Sequence, residues 1–287
     1  MSLPESVGTL IDLALSEDLG ETGDITSRAF IPETSRSKAR IVARETCVVS
    51  GLEVAVEVFR RVDATLKVIP RCAEGDLVAK GSSLIDLHGS SRSILSGERT
   101  ALNFLGRLCG IATQARRYAD AVAGTKAVLL DTRKTTPGWR LLEKAAVKHG
   151  GCVNHRMGLF DAVLVKDNHL AALGDLALLP PVIAQLRSEH PGLPIEIEAD
   201  TLDQTEQLLG MTGIDVILLD NMTPETMRRA IALRDAMAPD VLLEASGGVT
   251  LGKLPEIAAT GIDRISVGAL THSAPHADLS LEIADAP

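Results

Sequence analysis

Aromatic residues are scarce in this chain: four Phe, one Trp and one Tyr among 287 residues. Positive charge is short as well, with 29 Lys and Arg against 38 Asp and Glu and a formal net charge of −9. A nucleic-acid binder uses a basic footprint and often an aromatic stacking platform, so the two shortages argue against that class. The four cysteines, Cys47, Cys72, Cys109 and Cys152, include no C-x-x-C pair. A zinc ribbon or thioredoxin-like site is therefore absent, and the cysteines read as buried thiols of a reducing compartment. No apolar run approaches the roughly 20 residues of a membrane span, and the best stretch, Leu176 to Leu186, is cut by Pro180-Pro181. Near the N-terminus, Pro4 and Glu5 stand where a signal peptide would be basic and then apolar. The expectation is a cytoplasmic protein that meets neither nucleic acid nor membrane.

What is present is core-forming material: 45% of the residues are apolar, enough for one large or two ordinary domains. Residues 4 to 18 place Val7, Leu10, Ile11, Ala14 and Leu15 on one helical face, with Ser2 and Glu5 spaced for a capping box. Ala39 to Ser50 and Thr65 to Pro70 are β-rich, and a helix is predicted near Glu53 to Arg61. From Ile94 to Val122 the spacing is helical again, with an interruption predicted at Gly110; this long helix reads as a bridge between two halves.

After about Gly124 the rhythm changes. Six short apolar runs, each followed by a turn and a helical stretch, cover Ala127 to Leu130, Ala162 to Val165, Pro194 to Ile197, Val216 to Leu219, Val241 to Leu243 and Arg264 to Val267. Polar or glycine residues follow the runs: Asp131-Thr-Arg-Lys-Thr, Lys166-Asp-Asn-His, Glu198-Ala-Asp, Asp220-Asn-Met, Glu244-Ala-Ser-Gly-Gly and Gly268-Ala-Leu-Thr-His. An α/β barrel gathers its active site in this way, at the C-terminal ends of its strands. A doubly wound open sheet, lining a crevice with the same ends, is the alternative. The segment is too short for eight full units, so a barrel here is incomplete.

Residues 131 to 170 hold seven Lys or Arg against four Asp or Glu, a local reversal of sign within an acidic protein. Arg133, Lys134, Arg156 and Lys166 follow strand ends and suit a small, strongly anionic ligand: arginine offers a bidentate fork and lysine a movable point charge. Lys144 and Lys148, four apart, read instead as a solvated helix face. Ser246-Gly247-Gly248 and Gly268 present backbone N–H groups unobstructed by side chains and so suit a phosphate cradle, with an ordinary tight turn as the plain alternative for Gly247-Gly248. The P-loop spacing from Gly247 to Lys253 fails at Leu254, which carries no hydroxyl for magnesium. Glu198 and Asp220 suit ribose hydroxyls or a magnesium ion, or else salt bridges to the basic cluster. His149, Cys152 and His155 have a superficial zinc spacing without a fourth ligand, and His272 and His276 read as a surface pair.

Several motifs together resemble the quinolinate phosphoribosyltransferase family, the carboxylating nicotinate-nucleotide pyrophosphorylases. They are Gly23-Asp-Ile-Thr-Ser27, Glu98-Arg-Thr-Ala-Leu-Asn103, Asp131-Thr-Arg-Lys-Thr-Thr-Pro-Gly138, Asn154-His-Arg156, Lys166-Asp-Asn-His169, Glu244-Ala-Ser-Gly-Gly248 and Ser266-Val-Gly-Ala-Leu-Thr-His-Ser273. They stand in order between about residues 10 and 285. The resemblance implies an N-terminal α/β sandwich domain and an incomplete, seven-stranded α/β barrel. The expected division is 1–110 with the bridging helix, 111–275 for the barrel, and 276–287 returning to the first domain.

The resemblance further implies a homodimer with shared active sites and a Mg2+-dependent reaction. Quinolinate and 5-phosphoribosyl 1-pyrophosphate would give nicotinate mononucleotide, pyrophosphate and CO2 in NAD biosynthesis. By position, Arg133, His155, Arg156 and Lys166 are similar to the family's quinolinate-binding residues, Arg99 to an arginine contributed by the partner subunit, and Lys134 to a basic residue of the pocket. Glu198 and Asp220 match the acids near ribose and metal, and Ser246, Gly247, Gly248 and Gly268 match the 5'-phosphate cradle. The rivals are a relative of the molybdenum-transport operon family, a Schiff-base aldolase using Lys166, and a catalytically dead barrel that senses or stores anions.

Overall fold

A computed structural model describes residues 3–283. They form two compact units, one of residues 3–116, 135–151 and 270–283, the other of Arg117–Lys134 and Cys152–Ala269. The division is less simple than a cut near residue 110, because Thr135–Gly151 lies within the span expected for the barrel yet belongs to the first unit.

In chain order the elements begin with α1 (Glu5–Leu19), α2 (Ile25–Phe30), β1 (Arg36–Ala43), β2 (Cys47–Val48), α3 (Leu52–Val62), β3 (Lys67–Pro70), β4 (Leu77–Val78), β5 (Ser83–Ser90) and the long α4 (Ser91–Ala121). Next come β6 (Val128–Leu130), α5 (Arg140–His149), β7 (Val163–Val165), α6 (Asp167–Leu173), α7 (Leu179–Glu189), β8 (Ile195–Ala199) and α8 (Leu202–Leu209). They are followed by β9 (Val216–Asp220), α9 (Pro224–Met237), β10 (Leu242–Ser246), α10 (Leu254–Ala258), β11 (Arg264–Ser266), α11 (Ala269–His272) and β12 (Leu279–Ile283).

In the first unit an antiparallel sheet runs in the order β12-β1-β5-β3, and β2 pairs with β4 separately. Helix α3 buries Leu52, Val54, Ala55, Val58 and Phe59; each such Val, Leu or Phe contributes roughly 1.5–3 kcal/mol. Its N-terminus is capped from outside, since the N–H groups of Gly51 and Leu52 donate to the carboxylate of Glu74 at 2.9 and 2.8 Å. The Gly23-Asp-Ile-Thr-Ser27 motif is a helix start: Asp24 accepts from the N–H of Ser27 at 2.8 Å and caps α2.

Two local expectations change here. The capping box of the first helix involved Ser2, which lies outside the described residues; the N-cap is Pro4, which offers no side-chain acceptor. Helix α4 runs through Gly110 without a break. The glycine is there for clearance, because a Cβ at Gly110 would lie 1.8 Å from the carbonyl oxygen of Pro275, and the neighbouring Gly106 accepts from the N–H of Ala277 at 2.8 Å. A packing demand 165 residues away in the chain, not helix termination, put glycine in mid-helix.

The lysine pair on α5 also divides. Lys148 is exposed, but Lys144 is buried, 1% accessible, beside the buried Leu142, Glu143, Ala146 and Val147. Most of this helix is enclosed, so spacing between charges carried no information about exposure. Glu143 pairs with Arg107 at 2.8 Å, and Arg107 also donates to the carbonyls of Thr271 and Ala274.

The second unit is an incomplete α/β barrel. Six parallel strands run in the order β6-β11-β10-β9-β8-β7, where seven were expected. The place beside β6 is taken by Val153, which makes one isolated parallel bridge with Leu130. Glycines 150 and 151 precede it and Asn154-His155-Arg156 follow, leaving too short an apolar stretch for a strand. β8 is buried along its whole length although it carries Glu196 and Glu198, and β9 and β10 are buried over most of theirs, whereas β7 is only half-buried. Acids pin their N-terminal ends: Asp215 accepts from the N–H of Ile195 at 2.7 Å, and Asp263 from that of Leu243 at 2.9 Å. Among the described residues no single helix is long and apolar enough to cross a membrane; the nearest candidate, α6 with Leu176–Glu189, is bent by 87°. Pro180 and Pro181 there start α7, where a missing N–H costs nothing.

Candidate active site

The C-terminal ends of the barrel strands surround a cavity of about 330 Å³. Arg133, Lys134, His155, Arg156, Lys166 and Ser246 all line it, together with Glu244 and Ser266. Five cationic or ionisable nitrogen-bearing side chains that the sequence singled out thus share one small pit. Arg99 belongs to the first unit, where it is exposed on α4.

The loop carrying His155 and Arg156 is held by carboxylates. Asp131, fully buried at the end of β6, accepts from the N–H of His155 at 2.8 Å. Asp161 accepts from the N–H groups of Met157 and Gly158 at 2.6 and 2.9 Å, and the Arg156 guanidinium donates to the carbonyl of Ala162 at 3.3 Å. Burial, followed by the charge of Arg133, holds the Arg156 pKa below its usual value. The Nε of Arg133 is buried with no hydrogen-bond partner among the described residues. Two guanidinium groups that repel one another in a shared cavity make a receptor for an anion.

His155 sits over two acids that sequence reasoning missed. Its Nε2 lies 3.0 Å from Oε2 of Glu196 and 3.5 Å from Oε1 of Glu244. Burial opposes the imidazolium, but the two carboxylates outweigh it and raise the ring's pKa to about 9. In the neutral ring the N–H of Arg156 donates to Nδ1 at 2.8 Å and the proton sits on Nε2; protonation at Nδ1 gives up that bond in exchange for the attraction of the two carboxylates. Glu196 is pushed up, by burial first and also by the charge of Glu244. A signal for this pair existed: Glu196 and Glu198 alternate with isoleucine in a strand otherwise fit for a core, and Glu244 opens a motif quoted for its glycines.

A second group of acids ends β8 and β9. Carboxylate oxygens of Glu198, Asp200 and Asp220 lie within 4.8 Å of one another, a donor set that fits a hard divalent cation. Lys166 reaches Glu198 with its Nζ at 3.2 Å, so this lysine joins the basic pit to the acidic cluster. Burial raises the Glu198 pKa against the pull of Lys166. Beyond β10, Gly247 and Gly248 have φ values of 89° and 58°, a left-handed turn that frees backbone N–H groups.

Comparison with known proteins agrees with this architecture. The profile described as quinolinate phosphoribosyl transferase, C-terminal domain, matches residues 111–282, and the N-terminal domain profile of the same family matches residues 24–109. The nicotinate-nucleotide pyrophosphorylase [carboxylating] of Mycobacterium leprae is 41% identical over 272 residues, covering 94% of each chain. The quinolinate phosphoribosyltransferase [decarboxylating] 1 of Nicotiana glauca is 40% identical, covering 96% of this chain and 81% of its own. The solved structure of the nicotinate-nucleotide pyrophosphorylase from Francisella tularensis superposes with a TM-score of 0.90 at 34% identity, over 99% of this chain and 98% of that one.

Proposed function

The chain belongs to the quinolinate phosphoribosyltransferase family, and we propose that its side chains divide the family's reaction between a cationic half that holds quinolinate and an acidic, glycine-rich half that holds the sugar donor. The reaction transfers the phosphoribosyl group of 5-phosphoribosyl 1-pyrophosphate to the ring nitrogen of quinolinate, releasing pyrophosphate and CO2 and giving nicotinate mononucleotide.

Arg133, His155, Arg156 and Lys166 take the two carboxylates of quinolinate, and Lys134 adds charge at the rim. The observation that carries this reading is the crowding of Arg133 and Arg156 in one cavity, with a buried Arg133 Nε lacking a partner among the described residues. The ring nitrogen's lone pair forms the bond to the anomeric carbon as the bond to pyrophosphate breaks. Glu198 and Asp220 face the positive charge that develops there. The alkylated ring nitrogen is cationic, so when the adjacent C–C bond breaks to release CO2 the electron pair left on carbon is stabilised until it takes up a proton. The protein's work is positioning and charge balance.

Ser246, Gly247, Gly248 and Gly268 cradle the 5'-phosphate through backbone N–H groups. Glu198 and Asp220, with Asp200 beside them, are the side chains for Mg2+, which when bound offsets the charge of the departing pyrophosphate. Arg99, exposed on its helix, serves a partner's site in a homodimer, and the exposed Leu159 and Phe160 are suited to a protein interface.

Carboxyl-labelled quinolinate incubated with the sugar donor is expected to release labelled CO2 in step with nicotinate mononucleotide, whereas nicotinate is expected to give no product. Mixing Arg99→Ala and Arg156→Ala subunits, assayed at quinolinate well below their raised KM where each alone is nearly silent, is expected to restore about a quarter of the native activity, because half the dimers then carry one intact site. Absence of any recovery would remove the shared site.

A further inference from the structure

Among the described residues, Asn221 is the one residue other than glycine with a left-handed backbone, φ 53°. Asparagine tolerates this conformation better than most, yet such residues persist where the surroundings demand them. Here three contacts do so. The Asn221 N–H donates to the carbonyl of Ser246 at 2.9 Å, continuing the pairing of Asp220 with Ser246 one residue past the strand ends. Its Nδ2 donates to Oδ2 of Asp220 at 2.6 Å. Its amide also fills the space where Gly247 lacks a side chain, since a Cβ there would lie 2.2 Å from Oδ1 and 2.5 Å from Cγ of Asn221.

Gly247 therefore answers a second demand besides phosphate approach: it makes room for the Asn221 amide. One planar side chain touches both the acid at the end of β9 and the glycine turn at the end of β10. We propose that Asn221 is a positioning residue that ties the Asp220 carboxylate to the Gly247 turn, fixing the spacing between the metal-and-pyrophosphate end and the 5'-phosphate end of the bound sugar donor. The inference rests on the assignment of Asp220 and Gly247 to that substrate. The left-handed backbone turns the side chain back across the strand ends; with ordinary strand geometry it would follow the chain away from Gly247.

Asn221→Gly tests this directly, because glycine adopts the same backbone conformation without strain while the side chain with its amide is removed. Binding of 5-phosphoribosyl 1-pyrophosphate with Mg2+ is read by calorimetry, with phthalate, a dicarboxylate lacking a nucleophilic nitrogen, in place of quinolinate. The dissociation constant for the sugar donor is expected to rise about tenfold, as for other residues that orient ligands from behind, and that for phthalate to stay within about twofold. Equal weakening of both ligands, or of neither, overturns the proposal. Asp220→Asn serves as control: if it leaves sugar-donor binding intact, the underlying assignment falls, whereas loss in Asp220→Asn with wild-type binding in Asn221→Gly sinks this inference alone. A double-mutant cycle adds a second measure. The penalty of Gly247→Ala on sugar-donor affinity is expected to shrink about tenfold once Asn221 is glycine, and simple additivity contradicts the clamp.

Discussion

Nε2 of His155 donates to Oε2 of Glu196 at 3.0 Å while Glu244 stands 3.5 Å from the same nitrogen. The folded protein thereby holds the ring's pKa at about 9, above the usual histidine value of 6.5. A group whose affinity for protons rises on folding stabilises the fold fully below its unfolded pKa, and that contribution disappears as pH climbs through the folded one. Stability measured by urea unfolding is expected to fall between pH 6.5 and 9. In Glu244→Gln the ring's titration, followed by its NMR shifts, is expected to move down toward the ordinary range and the slope to flatten. An unchanged titration would mean that Glu244 does not act on the ring.

Arg156 and Arg133 repel one another in their shared cavity. Replacing Arg156 with alanine is expected to raise the quinolinate KM tenfold or more, roughly the 1.5–3 kcal/mol of a charged hydrogen bond, without lowering Tm. Quinolinate itself is expected to raise the Tm of the native protein and to lose that effect in the variant. A variant that unfolds far below the native protein would instead make Arg156 a structural residue.

Gly110→Ala is expected to cost about 1–3 kcal/mol or more, because the new methyl group overlaps the Pro275 carbonyl. Gly252, with no atom within 4 Å of a Cβ and no positive φ, provides the comparison. Its alanine variant is expected to stay within about 0.5 kcal/mol of the parent. Chemical unfolding curves of the two variants decide the matter; similar midpoints would contradict the close approach.

Glu143 has no accessible side-chain surface and balances the largely buried Arg107. Glu143→Ala is expected to destabilise by about 3–5 kcal/mol, since it strands a guanidinium in the interior, while exchanging both partners for apolar residues of similar volume is expected to recover most of the loss. If the double replacement unfolds as readily as the single one, the ion pair supplies something beyond charge compensation.

Much of this architecture was legible in the sequence because its causes are local. The six barrel strands are short apolar runs ended by polar residues, and each predicted run overlaps a strand. Arg133 and Lys166 stand out by residue type and by their place after those runs, Arg156 by its charge and the Asn154-His-Arg156 motif, and the cavity gathers all three. The rest depends on distant contacts. Nothing beside Gly110 announces Pro275, and nothing in the spacing of Lys144 and Lys148 says that one is enclosed and the other wet. Glu196 and Glu244 could not be paired with His155 before three separate segments met in the barrel interior. The expected seventh strand failed for a local reason: Val153 is hemmed in by glycines and polar side chains, and a single bridge is all it makes.

The last described strand, β12, lies along β1 and pairs Ala39 with Ile283. A nascent chain emerging from the ribosome exposes β1 about 240 residues before its edge partner is translated. The first sheet therefore cannot be completed until the whole second unit has been made, leaving one flank of β1 open to stray strand pairing in the meantime. Loss of β12 would leave that flank open for good, turning a change of few residues into an aggregation hazard.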